Sequence, residues 1–116
     1  MKIAIATQAG MVSQHFGYAE TFTVFDIENK VVVGKNEVAN PGHRPGFLPV
    51  FLARRGVGII IAGGIGSGAV DLFKANGIEV ITGASGNPDA VIEQWLSGDL
   101  KSTGIPCSEH LHHGEC

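Results

Sequence analysis

The chain has 116 residues, of which 44% are hydrophobic and 16% charged, with a formal net charge of -3 and a pI near 5.9. This composition is typical of one compact globular domain and excludes a disordered chain. The acidic balance provides no basic surface for nucleic acid or anionic membranes, and no apolar run is long enough for a membrane span or a signal peptide. We therefore expect a cytoplasmic protein that binds neither nucleic acid nor membrane.

The first part of the chain predicts three strands, over residues 2–7, 21–28 and 31–38. The first is a short apolar run that ends in a polar turn, and the second alternates and is rich in Phe, Val and Ile. Only Asn29 and Lys30 separate the second strand from the third, and a two-residue link of this kind closes a β-hairpin. These two strands should therefore be antiparallel neighbours.

The second part predicts alternating helices and strands. The expected order is a helix over residues 48–55, a strand over 58–62, a helix over 69–75, a strand over 78–82 and a helix over 88–97. Both strands are short and rich in β-branched residues, which is typical of strands buried on both faces. Each helix is followed by a glycine that can end it, at Gly56, Gly77 and Gly98.

The element order predicts an α/β fold over residues 1–100. Three strands followed by two βα repeats and their helices indicate a three-layer domain with a mixed sheet of about five strands and helices on its faces. The antiparallel hairpin should lie at one side of this sheet. Residues 101–116 contain few apolar side chains, so we expect them to form a separate Cys/His-rich C-terminal tail.

The tail has a metal-binding composition. Cys107, His110, His112, His113 and Cys116 offer five thiolate or imidazole ligands, one more than a closed tetrahedral site requires. These ligand types favour an iron-sulfur centre or, as an alternative, zinc. A histidine-rich tail without a dedicated metal, a purification remnant and a disulfide between the two cysteines are the competing interpretations. We favour metal because cysteines bracket the histidines and the sequence has no secretory features.

Two predicted loops of the domain contain a histidine. His15 lies in the run Ser-Gln-His-Phe-Gly between the first two strands, and His43 lies in a Pro/Gly-rich loop after the third strand. A loop histidine is most often simply solvent-exposed, so composition alone leaves both roles open. If both loops open at the same end of the sheet, they lie where open α/β folds bind their ligands.

A glycine-rich run, Gly-Gly-Ile-Gly-Ser-Gly-Ala over residues 63–69, connects a predicted strand to a helix. It contains G-x-G-x-x-A and so resembles a dinucleotide-binding fingerprint, but the next strand lacks the acidic residue that such a site requires. The run is not a P-loop either, since no Gly-Lys-Ser/Thr follows. Tight packing of the glycines and an anion at the helix N-terminus are the two interpretations that remain.

These motifs together resemble the dinitrogenase iron-molybdenum cofactor biosynthesis family, whose members include NifX, NafY and the C-terminal domain of NifB. The resemblance covers residues 1–100 and rests on the opening strand, on Val-Ser-Gln-His-Phe-Gly-Tyr-Ala over residues 12–19 and on Gly-Gly-Ile-Gly over residues 63–66. It implies a ribonuclease-H-like fold that binds iron-sulfur precursors or the nitrogenase cofactor in transit. It indicates that His15 contacts the cluster. The other candidate cofactor-binding residues are Ser13, Phe16, Gly17, His43, Gly64 and Gly66.

We therefore expect a non-enzymatic carrier or scaffold for an iron-sulfur or iron-molybdenum-type cluster. The protein should exchange this cluster with a donor or acceptor protein, and Cys107 and Cys116 should add soft ligands to it. One alternative is a small enzyme or nucleotide-binding domain that uses the glycine loop. A two-metal nuclease needs clustered carboxylates, and Asp26, Glu28 and Asp71 are not spaced to form such a cluster. Another alternative is a protein whose tail binds structural zinc.

Overall fold

The computed structural model describes residues 1–42, 46–98 and 100. Over these residues the chain forms six strands, three α-helices and one short 3₁₀ helix. The elements are β1 (Lys2–Gln8), β2 (Met11–Val12), the 3₁₀ helix (Phe16–Tyr18), β3 (Thr21–Glu28), β4 (Val31–Ala39), α1 (Phe47–Arg54), β5 (Val57–Ile61), α2 (Ser67–Ala75), β6 (Glu79–Ile81) and α3 (Pro88–Ser97). The predicted tail, residues 101–116, lies outside the described residues.

All six strands belong to one mixed sheet with the order β4-β3-β1-β5-β6, and β2 pairs only with β1. Strand β3 runs antiparallel to both β4 and β1, whereas β5 and β6 run parallel to β1. The predicted mixed sheet with an antiparallel hairpin at one side is therefore confirmed. Strand β2 was not predicted, because two residues are too few to produce a recognisable alternation.

Two tight turns shape the antiparallel part of the sheet. Asn29 and Lys30, with φ of 51° and 62°, adopt left-handed conformations and join β3 to β4 as a two-residue hairpin turn. Ala9 and Gly10, with φ of 53° and 79°, make a similar turn between β1 and β2. The first turn confirms the predicted hairpin. The second gives no clear sequence signal, because alanine is not a typical left-handed turn residue.

The sheet separates two hydrophobic cores. Helices α1 and α2 pack on one face and α3 packs on the other, which gives the three predicted layers. Alternation along β1 supplies both cores, since Ala4 and Ala6 belong to the α1/α2 side and Ile3 and Ile5 to the α3 side. All four side chains are fully buried, as a central strand covered on both faces requires.

The helix ends also follow the sequence signals. Asn87 caps α3, because its side-chain oxygen accepts a hydrogen bond of 2.8 Å from the backbone N–H of Asp89. The three predicted stop glycines, Gly56, Gly77 and Gly98, all have positive φ, which an L-residue with a Cβ adopts only with strain. Among the helices of the described residues, none is long and apolar enough to span a membrane.

Candidate functional site

Three loops meet at the carboxyl ends of β1, β5 and β6. The backbone N–H of Phe16 donates to the carbonyl oxygen of Gly64 at 2.8 Å, and the N–H of Gly63 donates to the carbonyl oxygen of Ser13 at the same distance. The loop after β6 joins them, since the N–H of Gly83 donates to the carbonyl oxygen of Gly63 at 2.8 Å. The structure thus brings the histidine-bearing loop, residues 13–17, against the start of the glycine-rich loop.

Gly63 is required for this contact. A Cβ atom at this position would lie 2.7 Å from Cα and 2.8 Å from the carbonyl oxygen of Gln14, both of them backbone atoms. Backbone atoms at such distances cannot move aside without displacing the loop, so only glycine allows the two loops to approach. The packing interpretation is therefore correct for Gly63, although the partner is the loop of residues 13–17.

Ser13 shapes the turn that presents His15. The serine is 1% exposed, its N–H donates to the carbonyl oxygen of Ala6 at 2.8 Å, and its hydroxyl donates to the carbonyl oxygen of His15. A serine hydroxyl bonded two residues along the chain stabilises a local turn. The hydroxyl is thus engaged inside the loop, and Ser13 acts there as a structural residue.

Phe16 anchors the same loop in the hydrophobic core. Its ring is 8% exposed and packs edge-to-face on Phe73 of α2, with 5.3 Å between ring centroids, and against Phe22 of β3 at 5.8 Å. Its neighbour Gly17 is exposed, and a Cβ there would meet no atom within 4 Å. Phe16 therefore belongs to the core, whereas Gly17 lies beside open space.

His15 faces the outer side of this loop. It is half-buried, and its ring packs edge-to-face on the exposed ring of Tyr18, with centroids 5.3 Å apart and an interplanar angle of 76°. Its Nδ1 atom is enclosed and has no hydrogen-bond partner among the described residues. An enclosed polar atom without a partner costs about 1–3 kcal/mol, and in native proteins such an atom is explained by an ordered water or ion, by strain or by a functional role.

The loop after β4 begins at the same edge of the sheet. The backbone N–H of Asn40 donates to the carbonyl oxygen of Glu20 at 3.0 Å, and its side-chain amide donates to the carbonyl oxygen of Ala19 at 2.8 Å. The N–H of Gly42 donates to Oδ1 of Asn40. As far as Gly42, the loop after β4 therefore lies at the same edge of the sheet as the loop of residues 13–17, as expected. His43 itself lies outside the described residues.

Helix α2 begins beside the histidine-bearing loop. Gly64, whose carbonyl oxygen accepts the bond from Phe16, is buried, and Gly66 precedes the first helical residue in an extended conformation. Within the part of the chain that the structure describes, no side-chain capping hydrogen bond is made at the N-cap position, Gly66. The first-turn backbone of α2 thus carries its partial positive charge close to the loop of residues 13–17.

The described residues contain no group of three or more His, Cys, Asp or Glu side chains that could hold a metal ion. The edge of the sheet thus provides the imidazole of His15, and in the described ranges it does not belong to a three-ligand group. The predicted metal ligands of the tail, Cys107, His110, His112, His113 and Cys116, fall outside these ranges.

Two features of this edge were not predicted from the sequence. Tyr18 lies within the motif of residues 12–19 but was not a candidate, and its contact with His15 depends on the 3₁₀ turn. The loop after β6 contributes Gly83 and Gly86, with φ of 89° and 92°. These two glycines were the sequence signal for this loop, because glycine adopts left-handed conformations without strain and therefore marks sharp turns.

The fold and the edge site define a class of protein: a three-layer, ribonuclease-H-like α/β domain with a histidine presented at the carboxyl ends of its parallel strands. Residues 1–98 match the family model described as dinitrogenase iron-molybdenum cofactor. The chain therefore belongs to the dinitrogenase iron-molybdenum cofactor family, the NifB/NifX-like domain, as its motifs predicted.

Similar proteins cover nearly the same length. An uncharacterised protein of Methanocaldococcus jannaschii is 35% identical over an alignment of 106 residues, which covers 87% of this chain and 90% of that protein. The crystal structure of PH0822 is 34% identical, with a TM-score of 0.83 over 90% of this chain and 96% of that one. The apo form of the orange protein from Desulfovibrio gigas is 24% identical, with a TM-score of 0.77 over 90% and 94%, and shows the shared fold.

Proposed function

We propose that this protein is a non-enzymatic carrier or scaffold for an iron-sulfur or iron-molybdenum-type cluster, which binds at the carboxyl edge of the sheet beside His15. The observation that carries the proposal is the enclosed Nδ1 of His15, which has no partner in the described structure although its loop is fixed by backbone hydrogen bonds. Membership in the cofactor family and the position at the ligand-binding end of an open α/β sheet support it.

The rest of the edge suits an anionic, sulfur-rich cargo. The N-terminus of α2 adds a partial positive charge, which favours negative groups nearby. Gly17 has no side chain and open space around it, so a bulky cluster can approach the histidine from this side. Phe16 and Gly63 pack against the inner side of the loop and fix its backbone, so the imidazole can bind without rearrangement of the backbone.

A single imidazole leaves most coordination positions of a cluster free. A cluster held in this way can exchange ligands with a second protein, which is what a carrier requires and what a closed four-ligand site would prevent. We expect His43, whose loop starts at the same edge, to be a further ligand. The partner would be a cluster donor or acceptor protein, and we expect the exchange to take place in the cytoplasm, where thiols stay reduced.

We propose a second metal site in the tail, formed by Cys107, His110, His112, His113 and Cys116. Its thiolates suit an iron-sulfur centre, with zinc as the alternative. Replacing both cysteines by serine should remove most of the metal bound by the tail, while the circular dichroism of the domain stays unchanged. Unchanged metal content in this double variant would refute the tail site.

The edge offers less support for a nucleotide-binding or hydrolytic function. The N–H of Gly63 is bonded to the carbonyl oxygen of Ser13, so this amide is not free to bind a phosphate, and an anion would have to use the first-turn amides of α2 instead. A two-metal hydrolase needs clustered carboxylates, and no such cluster occurs in the described ranges. Saturable binding of a nucleotide to the wild-type protein would favour this alternative over the carrier.

The proposal can be tested by anaerobic loading of the full chain. The protein is incubated with a cluster donor and re-isolated, and its visible spectrum and its content of iron, molybdenum and zinc are measured. A carrier gives a coloured product whose yield falls in His15→Ala but not in the matched control Gln14→Ala, which changes the adjacent exposed side chain. A colourless zinc protein, or equal loading of all three proteins, would contradict it.

A further inference from the structure

Strand β4 is the edge of the sheet on the hairpin side. It is nine residues long, it pairs with β3, and along its outer side no other strand pairs with it in the described structure. Val31 and Val33 are each 57% exposed. An open strand edge presents unpaired N–H and C=O groups and is a template for another strand. The side chains along β4 then decide which strand fits.

The residues of β4 complement a second copy of the same strand. In an antiparallel pair related by a two-fold axis at Asn36, Lys35 lies opposite Glu37 of the second copy, and Glu37 lies opposite its Lys35. The exposed Val33 then lies opposite Ala39, and Gly34 opposite Val38. Opposite charges directly across a strand pair attract, and apolar residues at the ends of the pair add contact. We propose that two copies of this chain associate through β4 in this register.

The two registers that centre the pair on a charged residue are disfavoured by charge. An axis at Lys35 places two lysines opposite each other, and an axis at Glu37 places two glutamates opposite each other. Like charges directly across an antiparallel pair are destabilising. The axis at Asn36 instead gives two opposite-charge pairs, and the two Asn36 side chains can hydrogen-bond to each other across it.

Lys35 is compatible with this role. A lysine on an edge strand usually opposes pairing, because a buried or like-charged ammonium is costly. Here Glu37 lies two residues further on the same face of the strand and supplies the opposite charge. Lys35 also makes an exposed ion pair with Asp89 of α3, with Nζ and Oδ1 3.0 Å apart, and it lies over the ring of Phe25 at 5.8 Å. These contacts hold its side chain on this face.

The paired segment has natural limits. The β3/β4 pairing is irregular between Asp26 and Ile27, which leaves Val33 without a partner in β3, and Pro41 follows the strand two residues after Ala39. Proline lacks an N–H and ends a strand ladder. The regular stretch therefore spans residues 34–39, and Asn36 lies within it.

Such a dimer would leave the candidate site at the sheet edge of each copy accessible. Antiparallel β4 strands place the carboxyl edges of the two sheets at opposite ends of the assembly. Association through β4 is thus independent of the proposed cluster binding, and each can fail without the other.

Charge exchange between Lys35 and Glu37 tests both the surface and the register. We would measure sedimentation of the full chain with reductant and chelator present, so that tail cysteines and metals cannot link the copies. The wild type should dimerise reversibly with concentration. Lys35→Glu creates two Glu-Glu contacts and Glu37→Lys two Lys-Lys contacts, so each variant alone should dimerise about tenfold more weakly or worse. The ion pair with Asp89 that Lys35→Glu removes is exposed, and Glu37→Lys keeps it, so both variants should stay folded, which circular dichroism checks.

An equimolar mixture of the two variants is the decisive sample. In the mixed pair, the two glutamates of the Lys35→Glu copy face the two lysines of the Glu37→Lys copy, so dimers should reappear at close to the wild-type affinity. A wild type that stays monomeric at its highest soluble concentration would overturn the proposal. It would also be overturned if the single variants dimerise like the wild type, or if the mixture fails to dimerise while the wild type does.

Discussion

The two sides of the loop over residues 13–17 differ in nearly every physical respect. On the inner side, Phe16 is buried against two aromatic rings and Gly63 touches the backbone of Gln14 so closely that a methyl group would clash. On the outer side, a methyl group added at Gly17 would meet no atom within 4 Å, and His15 has an enclosed nitrogen without a partner among the described residues. The inner side of the loop is thus closely packed, whereas the outer side has a polar atom without a hydrogen-bond partner. This arrangement is expected when binding groups are held by a rigid support.

The largest effect should follow from Phe16→Ala on the inner side. Removing a buried aromatic side chain leaves a cavity between β3 and α2, which we expect to lower the free energy of unfolding by about 3 kcal/mol. Chemical denaturation of the wild type and the variant measures this difference. A loss below about 1 kcal/mol would mean that the ring does not anchor the loop.

Gly63→Ala should have the next largest effect. The new Cβ would meet backbone atoms of Gln14 at 2.7 Å and 2.8 Å, so the two loops must separate, at a cost of about 2 kcal/mol. Because the loop carries His15, cluster loading should fall together with stability. A variant with unchanged thermal midpoint and unchanged loading would contradict the tight contact between the loops.

His15→Ala should separate function from stability. His15→Ala removes one edge-to-face contact, worth about 0.5–1.5 kcal/mol, and an unpaired nitrogen that costs about 1–3 kcal/mol, so the free energy of unfolding should stay the same or rise and should not fall. Cluster affinity should fall about tenfold or more, as is usual when a ligand or its close support is lost. If instead the thermal midpoint drops by several degrees while cluster uptake is unchanged, His15 is a structural residue.

Gly17→Ala should have the smallest effect. The position has room for a methyl group and its φ is not in the left-handed region, so we expect a change in unfolding free energy within about 0.5 kcal/mol. It is the matched control for Gly63→Ala, because the same substitution is made on opposite sides of one loop. Equal destabilisation by the two substitutions would remove the distinction between the packed and the open side.

The sequence predicts those parts of the fold that depend on local patterns. Alternation and β-branched runs located the five longer strands, and glycines at Gly56, Gly77 and Gly98 marked the helix ends because a left-handed residue is a local requirement. Strand β2 escaped prediction because it depends on pairing with β1 and has no pattern of its own.

The candidate site was predictable in its residues but not in their roles. The motif contains His15, Phe16 and Gly63 together, yet only their three-dimensional arrangement distinguishes a core aromatic from a half-buried imidazole. The contact between Gly63 and Gln14 joins residues far apart in the chain, and no local pattern encodes such an approach. The loop after β6 is also far in sequence from residues 13–17, so its position at this edge could not be predicted from a local pattern.

The central claim is that the imidazole of His15 contacts the bound cluster, and pulsed electron paramagnetic resonance tests it most directly. The full chain, with its histidines labelled by ¹⁵N, is loaded anaerobically and brought to a paramagnetic state of the cluster. In a common background that carries Cys107→Ser, Cys116→Ser and His43→Ala, so that neither the tail nor His43 contributes a coupling, we predict a hyperfine coupling from an imidazole nitrogen that is present with His15, is kept in Gln14→Ala and is lost in His15→Ala. A coupling that persists unchanged in His15→Ala would contradict the claim.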